Sequence, residues 1–254
     1  MLHASSQSIH AQCAHVNFSD SGMNGCKTVC YYADSDSIST SKIKFGYING
    51  TYIDFERGLS TVKKLSQRLN IDIDFYYSAR NKKKKKLPDI IKAIRIRYGG
   101  KFSDACTQNL AHEIAMQIAE GNEYRLFAHS RGAAVVYKAI RELKLELSIH
   151  GYPQSVLQNL YIITLGGFAP NTNRWPKDIN VITVANDYDM VAKLGGNNTA
   201  HTPINRKKFK QAHSASHYYQ WIHFFGNREL NLQNFSHKDF NDFDIVELDK
   251  ILQQ

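Results

Sequence analysis

Two apolar rhythms alternate along the chain from Lys42 onward. "KIKFGYING" is a dense apolar run closing on Asn49-Gly50, the pattern of a buried strand that ends in a tight turn. "FERGLSTVKKLSQRL" then spaces Phe55, Leu59, Val62, Leu65 and Leu69 at steps of three and four, so they share one helical face. "IDIDFYY" alternates again and predicts a second strand. Pro88 and Gly99-Gly100 bracket a short amphipathic helix in "LPDIIKAIRIRYGG". Residues 103–120 carry Cys106, Leu110, Ile114 and Ile118 at fourfold spacing, with Gly121 as the stop. "EYRLFA" is a strand running into Ser130, "RGAAVVYKAIREL" a helix, and "LYIITLGG" and "INVITVAND" two more buried strands.

Strands rich in β-branched residues that alternate with helices predict an α/β fold, a mostly parallel central sheet with helices on both faces. Ligands in such sheets bind beyond the carboxyl ends of the strands, so chemistry is sought there. The first forty residues, 1–40, are rich in Ser, Asp, His and small residues around a short apolar patch, "TVCYYA". They read as a loosely ordered lead with one edge strand, and 41–254 as a single domain. Residues 145–158 are a candidate short lid.

With 254 residues and 43% hydrophobic content, the chain is large enough to bury one substantial core. It has no apolar run near the roughly 20 residues of a membrane-spanning helix. Its opening, MLHASSQSIHAQ, lacks the apolar centre of a secretory signal. The expected location is therefore the cytoplasm or the surface of a membrane, with export by a signal-independent route as the alternative. Cys13, Cys26, Cys30 and Cys106 include no Cys-x2-Cys pair, so no metal is expected. Reduced thiols are the expectation, with one disulfide as the alternative for an exported chain.

Candidate chemistry centres on "FAHSRGAAVV". Ser130 falls between an apolar strand and an alanine-rich helix, with Ala128 and Gly132 two residues to either side. A serine at a sharp strand-to-helix turn needs small residues at both positions, and the helix behind it aims backbone N–H groups at the site. A bare small-x-Ser-x-Gly pattern is weak alone, since a helix-capping serine produces it too. "AHSRGAA" resembles the nucleophile elbow of the α/β-hydrolase superfamily, especially its lipase/esterase-like branch, with Ala128 where that branch commonly has Gly.

The resemblance implies the chain order nucleophile, acid, histidine. "VANDYDMVAKL" offers Asp189, with Asp187 as alternative; the valine two residues beyond Asp189 resembles the lipase acid turn. "QAHSASHYYQWIHFF" offers His213, just before a predicted helix, with His217 as alternative. His223 reads as packing, and His129 as packing or support for the site. The backbone N–H of Arg131 is the expected first oxyanion donor, and that of Gly50 or Thr51 the second. The implied activity is that of a serine hydrolase on an ester or lipid substrate, with no cofactor.

Charge adds one feature. Between Arg80 and Lys101 lie ten basic residues and one acid, whereas the rest of the chain balances at 22 of each sign. Lys82, Lys83, Lys84, Lys85 and Lys86 form a run, and Lys92 and Arg95 are interleaved with Ile90, Ile91, Ile94 and Tyr98. A solvated loop is the plain reading; an anionic membrane surface is the favoured partner. Nucleic acid is disfavoured, because no aromatic array or zinc module accompanies the charge. The alternative function is a non-catalytic protein of the same fold that binds a partner or membrane through this patch.

Overall fold

The computed structural model describes residues 27–31, 43–50, 53, 55–69, 71–78, 105–170, 174–186, 189–195, 201–202, 213 and 218. Its strands are β1 (Lys27–Tyr31), β2 (Ile43–Ile48), β3 (Ile73–Tyr77), β4 (Glu123–His129), β5 (Leu160–Leu165), β6 (Asn180–Asn186) and β7 (His201–Thr202). Its helices are α1 (Phe55–Leu69), α2 (Ala105–Ala119), α3 (Arg131–Ile149) and the short α4 (Met190–Gly195). The sheet order is β1-β3-β2-β4-β5-β6-β7. All neighbours pair in parallel except β1, which runs antiparallel to β3 at the edge.

Strand alternation divides the core in two. Tyr124, Leu126 and Ala128 of β4 face one side, where they pack with Cys106, Leu110 and Ile114 of α2 and with the start of α3. Phe127 faces the other side, among Phe45, Tyr47, Phe75, Ile163 and Val184, beneath Val62 and Leu65 of α1. A sheet apolar on both faces needs helices on both, and it has them. This is the α/β architecture expected from the sequence. It places β4 centrally, flanked by parallel β2 and β5, so the turn after His129 opens onto the carboxyl-end face.

Two expectations are corrected here. The helix after Ser130 continues past Leu143 to Ile149, with Leu147 packed against the core, and the chain turns at Gly151 with φ of 70°. The candidate lid over 145–158 is thus the end of α3 and a 3-10 turn over Gln154–Asn159, whose Leu157 is wholly buried. Cys106 is disulfide-bonded rather than a reduced thiol. The basic segment, the amphipathic helix expected within it and residues 1–26 lie outside the described residues.

Candidate active site

β4 is buried from Tyr124 to His129, so its continuation must turn away from the sheet without exposing the strand. Ser130 makes that turn at φ 56° and ψ −124°, the one non-glycine residue with positive φ among the described residues. Such a conformation costs about 1–3 kcal/mol and persists only where neighbours hold it. Here they do: Ser130 N–H donates to the Leu165 carbonyl at 3.1 Å, and its own carbonyl accepts from Phe168 N–H at 2.9 Å and Ala133 N–H at 3.1 Å. Although Ser130 precedes α3, its hydroxyl forms no helix-capping bond. The hydroxyl points elsewhere.

Two glycines allow the close packing around this turn. A Cβ on Gly132 would stand 2.9 Å from the Ile48 carbonyl oxygen, because the start of α3 rests on the end of β2. A Cβ on Gly50 would lie 2.7 Å from Ser130 Cβ and 3.2 Å from its Oγ, so the Gly50 backbone borders the serine directly. Asn49 fixes that approach: its Nδ2 donates to the Gly50 carbonyl at 2.8 Å, and its Oδ1 accepts from Ser78 N–H at 2.7 Å. Arg131 turns its guanidinium inward, donating to the Ser78 carbonyl at 2.9 Å and Oγ at 2.7 Å. These bonds join the exits of β2, β3 and β4.

His213 closes the constellation. Its Nε2 is 2.8 Å from Ser130 Oγ, and its Nδ1 is 2.9 and 2.8 Å from the two carboxylate oxygens of Asp189. Asp189 is fully buried after β6 and immediately precedes α4, accepting at Oδ1 from the N–H groups of Val191 at 2.9 Å and Ala192 at 3.2 Å. Tyr218 donates its hydroxyl to Oδ2 at 2.7 Å.

These bonds decide the charge state of the carboxyl group. Burial alone would raise the pKa of Asp189; the hydrogen bond and charge of His213, then the bonds from Tyr218 and Ala192, outweigh it and hold the group below its ordinary value. Asp189 is therefore an anion at neutral pH. His129 behaves oppositely. Burial first, then the charge of His213, pushes its pKa down to about 3, so this ring is neutral.

Three of the residues singled out in the sequence thus meet: Ser130, Asp189 and His213. Gly50 lies against the serine, and Arg131 follows it. Thr51, Asp187, His217, Lys82 to Lys86, Lys92 and Arg95 lie outside the described residues. Sequence reasoning missed Tyr218, Asn49 and Ser78. A tyrosine five residues beyond a histidine carries no spacing signal, and Asn49 reads as an ordinary turn residue. Among the described residues no group of three or more His, Cys, Asp or Glu side chains is arranged to hold a metal.

No protein-family model matches the chain, and no curated protein does. Solved structures similar to it include the poly(3-hydroxybutyrate) depolymerase LpqC from Bordetella parapertussis, at 12% identity and TM-score 0.42, covering 95% of this chain and 94% of that one. ESTFA in its iron-lacking apo form matches at 12% identity and TM-score 0.41, over 83% of this chain and 74% of its own. EstE7, an HSL homologue from a metagenome library, matches at 11% identity and TM-score 0.37 over 63% of this chain. This chain spans only 45% of EstE7 and of one further esterase. At these values the likeness carries no argument about chemistry, which rests on the chain's own residues.

Proposed function

We propose that the protein is a serine hydrolase of carboxylic esters, acting through Ser130, His213 and Asp189. One observation carries the reading: a serine in a strained turn, joined by an unbroken hydrogen-bond chain through His213 to a buried, ionised Asp189. A serine that merely capped α3 would bond the helix and have no need of this strain.

The chemistry follows from the geometry. His213 Nε2 takes the proton of Ser130 Oγ as the oxygen attacks the ester carbonyl. Asp189 keeps the proton of the ring on Nδ1, so that Nε2 presents its lone pair, and stabilises the imidazolium that forms. Tyr218 and the first N–H groups of α4 hold the carboxylate in place. The tetrahedral oxyanion is received by the backbone N–H of Arg131, at the positive end of α3, and by that of Gly50 or Thr51. His213 then protonates the departing alcohol, and water resolves the acyl-enzyme by the same route in reverse.

The basic segment belongs to this reading as a docking surface. Lys82 to Lys86, with Lys92 and Arg95, would hold the enzyme on anionic lipid, at about 1 kcal/mol per residue near the surface, and bring membrane esters to Ser130.

Hydrolysis of a soluble short-chain ester such as p-nitrophenyl acetate, compared between wild type and Ser130→Ala, tests the activity. Turnover that vanishes in the variant supports it; equal rates in both would remove it. Vesicle binding without any ester hydrolysis would favour the non-catalytic alternative.

A further inference from the structure

His129 has no part in the mechanism above, yet it touches the group that does most of the work. It ends β4 on the face of the sheet that carries Phe127, and it is 5% exposed. Its ring lies 5.1 Å from the His213 ring at an interplanar angle of 26°, a stacked pair, and 6.0 Å from the ring of Tyr218. Its Nε2 stands 3.2 Å from the His213 backbone carbonyl oxygen. A carbonyl only accepts, so this nitrogen carries the proton and Nδ1 carries a lone pair. Nδ1 is buried without a hydrogen-bond partner among the described residues and faces Gly50, where a Cβ would stand 2.9 Å away.

We propose that His129 is the positioning residue for His213: its Nε2–H holds the main chain that carries His213, and its ring supports the face of the catalytic imidazole over Ser130 Oγ. The proposal rests on the triad reading and deepens it. Asp189 and Ser130 Oγ meet the His213 ring at its edge, at Nδ1 and Nε2, and neither bond bears on its face. A bond to the His213 carbonyl and a flat contact against its face restrict both the backbone and the ring. Displacement by about 1 Å at a reacting group costs roughly 100-fold in rate, so this restraint matters to turnover.

Neutrality is part of the role. His213 becomes an imidazolium in the first step, and a second cation stacked against it would oppose that step. Burial keeps His129 uncharged, and a proton added at Nδ1 would find no hydrogen-bond acceptor among the described residues.

The test compares wild type with His129→Phe, which keeps a flat ring and deletes the donor, and His129→Gln, which keeps an N–H donor and deletes the ring. With p-nitrophenyl acetate, kcat should fall about 10- to 100-fold in His129→Phe with KM nearly unchanged, and His129→Gln should recover part of that loss. Side-chain NMR of the wild type should show His129 as the neutral Nε2–H tautomer from about pH 5 to 8. Wild-type turnover in a folded His129→Phe, or an Nδ1–H tautomer, would overturn the proposal. Should neither variant fold, the tautomer decides alone. An active wild type indifferent to His129→Phe removes only this proposal; a wild type that hydrolyses no ester and takes no active-site label removes the triad reading with it.

Discussion

His213 Nε2 and Ser130 Oγ stand 2.8 Å apart although 83 residues separate them in the chain. The serine is set by β4 and α3, while the histidine is held through Asp189 after β6, so three separate parts of the fold must agree for the contact to exist.

Residues that act as one unit give non-additive losses. Ser130→Ala and His213→Ala should each lower kcat for a soluble ester by roughly 10⁴-fold or more, and the double variant should be little worse than either. Steady-state kinetics on the three variants checks this. Multiplied losses would mean that the two residues act independently.

Tyr218 is expected to matter through Asp189 rather than through substrate. Tyr218→Phe removes a donor to a buried carboxylate, a bond worth about 1.5–3 kcal/mol. Urea unfolding should show a loss of that order, and kcat should fall while KM stays near wild type. Unchanged stability together with unchanged kcat would show that the bond supports nothing.

Acid should destabilise the fold in two stages. His129 has a folded pKa of about 3, below its unfolded value near 6.5. Its contribution is whole above about pH 6.5 and is lost as pH falls toward 3, because the unfolded chain takes up the proton first. The slope is about 1.4 kcal/mol per pH unit. Asp189 is also depressed, so its contribution is present above the unfolded value near 3.9 and is lost as pH falls further, through its folded pKa. Urea midpoints at pH 7, 6 and 5 should fall progressively in wild type, and the dependence should be shallower in His129→Phe. Parallel profiles would mean that His129 is not buried as a neutral ring. His213, Asp189 and Tyr218 face His129, so the variant comparison is what isolates its part.

The lysine run separates docking from chemistry. Replacing Lys82 to Lys86 with Gln should leave p-nitrophenyl acetate turnover nearly unchanged while weakening binding to vesicles containing phosphatidylserine. The wild-type advantage should shrink as salt rises, since exposed charges are screened over about 10 Å at 0.1 M. Equal vesicle binding by both proteins would remove the membrane reading.

Much of this architecture was legible because burial writes itself into the sequence as period. The fourfold row Cys106, Leu110, Ile114 reflects one packed helical face, and the run "EYRLFA" a strand that packs on both sides, and they appear in the structure as such. The α3 boundary was harder. Nothing in "KLELSI" marks a stop, and the helix runs on to the glycine that turns it. Ser130 was visible because a tight turn restricts its neighbours to small residues. His213 was separable from His217 only by position before a helix, since both are histidines in similar local sequence. Tyr218 and Asn49 were invisible, because their roles depend on partners 29 residues away in each case, Asp189 and Ser78. The state of Cys106 was likewise not decided by spacing.

The central claim is that Ser130 is an activated nucleophile, and the most direct measurement is covalent labelling by a fluorophosphonate probe followed by peptide mapping. Such a probe reacts with serines whose hydroxyl is activated by a neighbouring base. The account predicts stoichiometric label on the peptide containing Ser130, lost in Ser130→Ala and strongly slowed in His213→Ala. A folded wild-type protein that takes no label, or that takes it equally well without His213, would contradict it.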